Sequence, residues 1–258
     1  MKLLPLDFVD LVSAIALMGV AIGLSAWERL GLELKLLNVT FRTILQLVVL
    51  GYIFDFIFEQ NNPGYVLAIL TVLLIISAIV TRNRIDKKIT KILPLVGGAM
   101  LISTAIAVLY VNFLIIQPEP WFNPQYIIPL TGIILANAMN AAAVSGERLL
   151  KTINSSYLEI ETHLSLGATP QQAVKQYRQD AIRAGLIPTI NQMTLIGMIT
   201  LPAIFSGQLL SGVEPSEAAS YQILIMFAIA FANFVTTILV TKGICHISFN
   251  SVSQLIKH

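Results

Sequence analysis

Cysteine, histidine and charge are all scarce in this sequence of 258 residues. It has one cysteine, Cys245, three histidines, and a charged fraction of only 12%. A single thiol excludes an intrachain disulfide and a thiolate metal cage. Soluble domains carry about 25% charged residues, so a water-soluble globule is excluded as well. No G-x-x-x-x-G-K-[ST] phosphate loop occurs, which excludes ATP hydrolysis by that route within this chain. The 16 Lys plus Arg nearly balance the 14 Asp plus Glu, leaving +2 and no basic footprint for nucleic acid. What is present is apolar: 56% of residues are hydrophobic and the mean hydropathy is +0.79. Such a chain must draw its stability from helices packed in a lipid bilayer. The expected fold is an all-α polytopic membrane protein.

A hydrocarbon core about 30 Å thick requires about 20 apolar residues at 1.5 Å each. Uncharged stretches of suitable length run 11–27, 60–81, 92–118, 120–146, 184–213 and 218–241. A further one near 40–58 is short, its uncharged part being Thr43–Phe54 between Arg42 and Asp55. The breaks at Asn61-Asn62-Pro63-Gly64 and Gln117-Pro118-Glu119-Pro120 disfavour helix. The pattern predicts about seven transmembrane helices in one transmembrane domain over 1–258. Basic residues cluster in alternate connections: Arg29, Lys35 and Arg42; Arg82 to Lys91; Arg148 to Arg183; Lys242 and Lys257. Of all 16, only Lys2 falls on the other side. Lys and Arg accumulate on the cytoplasmic face, which predicts an external N-terminus and a cytoplasmic C-terminus. Asp7 and Asp10 before the first apolar run, with Arg29 after it, reverse the charge order of a secretory signal. Gly19 and Gly23 have the G-x-x-x-G spacing of close helix packing.

Residues 147–183 are too polar to span and form the one large cytoplasmic segment. Leu149, Leu150, Ile153, Tyr157, Leu158, Ile160 and Leu164 recur at helical spacing. Gly167 is placed to stop one helix and Thr169-Pro170 to start the next, Thr as N-cap and Pro at the first helical position. By itself this is a helical hairpin resting at the membrane surface.

Strongly polar side chains at membrane depth are costly and tend to face a bundle interior or cavity. Arg42 and Gln46 lie one turn apart near the inner end of the second span. Asn137 and Asn140 share a face of the fifth among alanines, and Asn191 and Gln192 follow Pro188 in the sixth. Gln208 lies near that span's outer end, and Asn233 is in the seventh with Thr236 and Thr237. These residues either line a pathway or hold helices together, the latter worth about 0.6 kcal/mol apiece. The spans contain no His or Cys, so any metal ligands are unknown; Met139, Met193, Met198 and Met226 serve better as gap fillers. His163 has no Cys, His or carboxylate companions at metal spacing and is expected to be a contact residue.

The stretch Glu161-Thr-His163-Leu-Ser-Leu-Gly167-Ala168-Thr169-Pro170 resembles the E-A-A-x-x-x-G loop of ABC-transporter permeases, with Thr162 and His163 in place of the alanines. A broader set is similar to the FetB-type permease family of bacterial iron exporters and plant aluminium-sensitivity proteins. It comprises Arg42-Thr-Ile-Leu-Gln46, Asn137-Ala-Met-Asn140, Ser145-Gly-Glu-Arg148, Leu166-Gly-Ala-Thr-Pro170, Asn191-Gln-Met193, Leu201-Pro202 and Ser206-Gly-Gln208. The resemblance implies a permease subunit in the cell's inner (plasma) membrane that exports iron or another metal ion. It implies a separate cytoplasmic ABC ATPase carrying ATP and Mg, with no cofactor on this chain and no catalytic residue. Glu161, His163, Gly167, Ala168, Thr169 and Pro170 would contact that ATPase, and a homodimer would supply its paired binding sites. Rival expectations are an organic or nucleotide-sugar cargo in the same architecture, or a non-transporting membrane scaffold.

Overall fold

The computed structural model describes residues 8–60, 62–250 and 254–256. Lys2, Asp7, Asn61 and Lys257, used above, lie outside them. The described helices are α1 (Phe8–Trp27), α2 (Glu33–Gln60), α3 (Pro63–Ile85), α4 (Ile92–Tyr110), α5 (Pro124–Ser155), α6 (Tyr157–Ser165), α7 (Pro170–Ala173), α8 (Lys175–Leu195), α9 (Ala203–Leu210) and α10 (Pro215–Ile247). A π-helical turn, Val111–Ile116, extends α4. Among the described residues there is no strand, only the isolated bridges Ile196 to Thr200 and Phe249 to Leu255. Six helices, α1 to α5 and α10, are long and apolar enough to cross a membrane. The protein is an all-helical polytopic membrane protein.

Proline starts three of these spans: Pro63 in α3, Pro124 in α5 and Pro215 in α10. The missing N–H is one that a helix start leaves without an intrahelical partner in any case. Asn123 completes the start of α5, its side chain accepting from the Gln125 amide at 3.1 Å. The short stretch expected near 40–58 belongs to a longer helix, because α2 begins at Glu33 and runs 28 residues. Charges at Lys35 and Arg42 hid its first turns.

The expected crossing at 184–213 is corrected. It is not one helix: α8 ends at Leu195, residues 196–202 turn, and α9 has only 8 residues. Gly197 takes a left-handed φ of +75°, and Pro202 denies helical geometry to Leu201. Interrupted helices are tolerated at membrane depth where protein or a cavity re-satisfies the backbone. α8 also starts well before residue 184, so the polar segment and the first half of the interrupted crossing form one helix. At its other end, α5 runs to Ser155 and absorbs the beginning of 147–183.

The chain divides into two compact units, one with α1, α2 and Leu210–Gly212, the other with the rest. In the first, Ser25 Oγ donates to Glu33 Oε1 at 3.0 Å across the turn between its helices. In the second, α10 packs on α5, α4 and α8, and α5 also packs on α3 and α8. Its core centres on Ile92, Met100, Leu149, Ile153, Ile160 and Ile244, all fully enclosed. Lipid tails are as apolar as Leu, so van der Waals fit rather than water exclusion holds these helices. Small residues permit it: Gly243 lies against Leu95 and Gly146 against Ile85. Outward-facing Leu67, Ile75, Ile76, Leu101 and Phe227 present the apolar coat that lipid requires.

Candidate functional site

Two features of the second unit bring chemistry-bearing residues together. The first is the polar segment. At the end of α6 the Ala168 amide donates to the His163 carbonyl and the Gly167 amide to the Leu164 carbonyl, both at 3.0 Å. This is a Schellman turn, and Gly167 occupies its left-handed position with φ +91°. Thr169 then caps α7: its Oγ1 accepts from the Gln172 amide while Gln172 Oε1 accepts from the Thr169 amide at 2.9 Å. Pro170 follows at the first helical position. The helix stop and restart expected at Gly167 and Thr169-Pro170 are thus present.

The capped turn sets a pattern of exposure. Ile160 is fully buried, and Leu164 packs on the core. Leu158 and Leu166 are each 80% exposed, on a segment too polar to lie in lipid. With Thr162 they form one stripe at i, i+4 and i+8, and exposed His163 lies beside it. Tyr177 on α8 lies beside Glu159 of α6. Burial, with the Glu159 contact adding to it, pushes the phenol above its usual range. Glu161 is half-buried and accepts from the backbone amide of Leu255 at 3.2 Å. That contact, with a residue 94 positions away, left no signal in the sequence.

The second feature is a cavity of about 100 Å³ between α5, α8 and α10, lined by Asn137, Asn140, Ala141, Val144, Gly185, Pro188, Thr189, Gln192 and Asn233. Gly185 lets α8 approach: a Cβ there would lie 2.8 Å from the Ala141 carbonyl oxygen and 2.9 Å from Ser145 Cβ. Asn233 is 1% exposed; its Nδ2 donates to Thr189 Oγ1 at 2.7 Å, while its Oδ1 has no hydrogen-bond partner. Asn137 Nδ2 donates to the Ile133 carbonyl one turn back at 2.9 Å. Asn140 Oδ1 accepts from Arg84 Nη1 of α3 at 2.8 Å. Pro188 supplies no N–H to its own helix, which frees the Ala184 carbonyl. The lining therefore offers amide donors and acceptors without formal charge, apart from the guanidinium on Asn140.

Of the residues expected along a pathway, Asn137, Asn140, Gln192 and Asn233 come together here. Asn191 does not; it is exposed on another face of α8. Gln208 lies on α9, away from this lining. Arg42 and Gln46 are exposed on α2 in the other unit. Thr189 and Gly185 were missed, although i−3 spacing from Gln192 and the Gly-x-x-Pro run were visible. Arg84 was counted only as a basic flank. Thr236 pairs with Ser103 of α4 at 2.6 Å and so ties helices together. A second, apolar cavity of about 500 Å³ lies between the interruption and α10, with Met193, Pro202, Phe205, Gln222 and Met226 among its lining. Among the described residues no three His, Cys, Asp or Glu gather to hold a metal ion.

Fold, exposure and cavity define a multi-spanning membrane protein whose polar segment is continuous, through α8, with a polar cavity among its helices. Residues 8–249 match the family described as Uncharacterised protein family (UPF0014), and the chain belongs to that family. It is 46% identical over 254 residues to the UPF0014 membrane protein slr1647 of Synechocystis, covering 98% of each chain. It is 33% identical to the Probable iron export permease protein FetB of Escherichia coli K12, over 96% of this chain and 94% of that one. Protein ALUMINUM SENSITIVE 3 of Arabidopsis thaliana is 32% identical, over 95% and 89%. No solved structure matches.

Proposed function

We propose that the chain is the permease subunit of an ABC transporter in the cell's inner membrane. It acts as a homodimer with external N-termini, and a separate cytoplasmic ATPase that binds ATP and Mg drives it. The observation that carries this reading is the stripe of Leu158, Thr162 and Leu166. It stands exposed beside a capped turn, on a segment joined through α6 and α7 to α8, which also lines the amide cavity. Exposed leucines on a water-facing polar helix are what a partner groove buries. His163, Ala168, Thr169 and Pro170 border the same surface. Closure of the paired ATPases would push α6 and α7, displace α8 as a rigid body and change access to the cavity.

Iron or another metal ion is the cargo we favour, on the name of the Escherichia coli relative. The uncharged amide lining supports a second reading, an organic cargo recognised by hydrogen bonds, because amides donate and accept but supply no charge. The test is co-purification with a candidate ABC ATPase subunit, followed by metal efflux from proteoliposomes. The double variant Leu158→Asp, Leu166→Asp should lose the ATPase and keep its fold, since both side chains are exposed. Retention by that variant would sink the docking assignment. ATPase turnover stimulated by an organic solute but by no metal would favour the second cargo.

A further inference from the structure

Glu161 is the residue that the resemblance would turn toward an ATPase, yet its carboxylate is engaged from within the chain. α10 ends at Ile247, and Ser248 is fully buried, its Oγ donating to the Ile244 carbonyl at 2.8 Å. The chain then folds back: the Asn250 amide donates to the Gln254 carbonyl at 3.0 Å, the Ile256 amide to the Ser248 carbonyl at 2.8 Å, and Phe249 bridges Leu255 antiparallel. This returns Leu255 to α6. Its amide reaches Glu161 Oε1 at 3.2 Å, and its side chain, 6% exposed, enters the apolar cluster of Ile153, Ile160 and Ile244. An N–H to a carboxylate is about twice as strong as a neutral hydrogen bond. The last span is therefore fastened to α6 at a point 94 residues earlier in the chain.

α10 also supplies Asn233, the most enclosed amide of the cavity, about 21 Å along the helix from Ile247 at 1.5 Å per residue. α6 thus has two connections to the cavity: through α7 and α8 to Thr189 and Gln192, and through the returned tail and α10 to Asn233. We infer that Glu161 is a positioning residue, clasping the C-terminal residues 254–256 so that α10 moves together with α6 and α8. The role in coupling rests on the ATPase-driven reading above; the clasp itself does not.

Two measurements on the full chain separate these parts. Hydrogen exchange in lipid nanodiscs without partner reads the clasp: Glu161→Ala should speed exchange of the Leu255 amide by about tenfold, the loss of one charge-assisted bond. Glu161→Gln keeps an acceptor oxygen and should restore most of the protection. In the complex with its ATPase, Leu255→Ala should retain the ATPase as wild type does, while cargo-stimulated turnover falls toward the unstimulated rate. Unchanged exchange in Glu161→Ala overturns the clasp. Full stimulation in Leu255→Ala overturns the positioning role. A wild-type chain that holds no ATPase overturns the transport reading and with it the coupling role, while the exchange result still decides the clasp.

Discussion

At Gly185 an added methyl would meet a backbone oxygen and the walls of two neighbouring helices, at 2.8 to 3.1 Å. Backbone cannot yield as a rotamer can, so Gly185→Ala should destabilise the protein by about 1–3 kcal/mol. Thermal unfolding in detergent checks this. Gly146, which meets only the flexible tip of Ile85 and Ile244, should tolerate alanine better. Asn233 and Thr236 sit one turn apart on α10 and invite a direct comparison. Asn233→Ala removes the bond to Thr189, worth about 1 kcal/mol, and widens the cavity, so both stability and transport should fall. Thr236→Val removes the bond to Ser103 and should lower stability by a similar amount while sparing transport. Equal effects of the two on proteoliposome efflux would show that Asn233 serves only to join helices.

Among the elements, α8 places Tyr177 beside Glu159 of α6. The phenol's pKa is raised in the folded protein, so its contribution is fully present below the ordinary tyrosine value near 10 and is lost as pH rises through the raised one. Wild-type stability should therefore fall in unfolding curves taken above the tyrosine range, and Tyr177→Phe should lose that part of the pH dependence. Element boundaries show what the sequence could and could not disclose. Proline starts, the Gly167 stop and the Thr169 cap are local chemistry, and all were readable from adjacent residues. The interruption at 196–202 was not, because Gly197 and Pro202 lie within an uncharged stretch that hydropathy reads as continuous. The cavity amides were visible as polar residues in apolar runs, but Thr189 and Gly185 gain meaning only from the side chains opposite them. The tie between Glu161 and Leu255 depends on the chain doubling back, which no local pattern encodes.

For the whole molecule, the distribution of Lys and Arg sets the expected orientation. In a Cys245→Ala background, a cysteine at Gln117 should react with an impermeant thiol reagent in intact cells. One at Leu166 should react only after the membrane is opened. The reverse labelling would put the polar segment outside and remove the ATPase from reach. α8 carries a further consequence: its 21 residues, about 31 Å at 1.5 Å each, include both charged Lys175 and cavity-lining Gln192, with no intervening loop. Two ligands that bias the same rod are bound by thermodynamic reciprocity. On the ATPase-driven reading proposed above, whatever factor a nucleotide-bound ATPase imposes on cargo affinity, a filled cavity would return to the ATPase's own grip, so equilibrium titration of either molecule would report on the other.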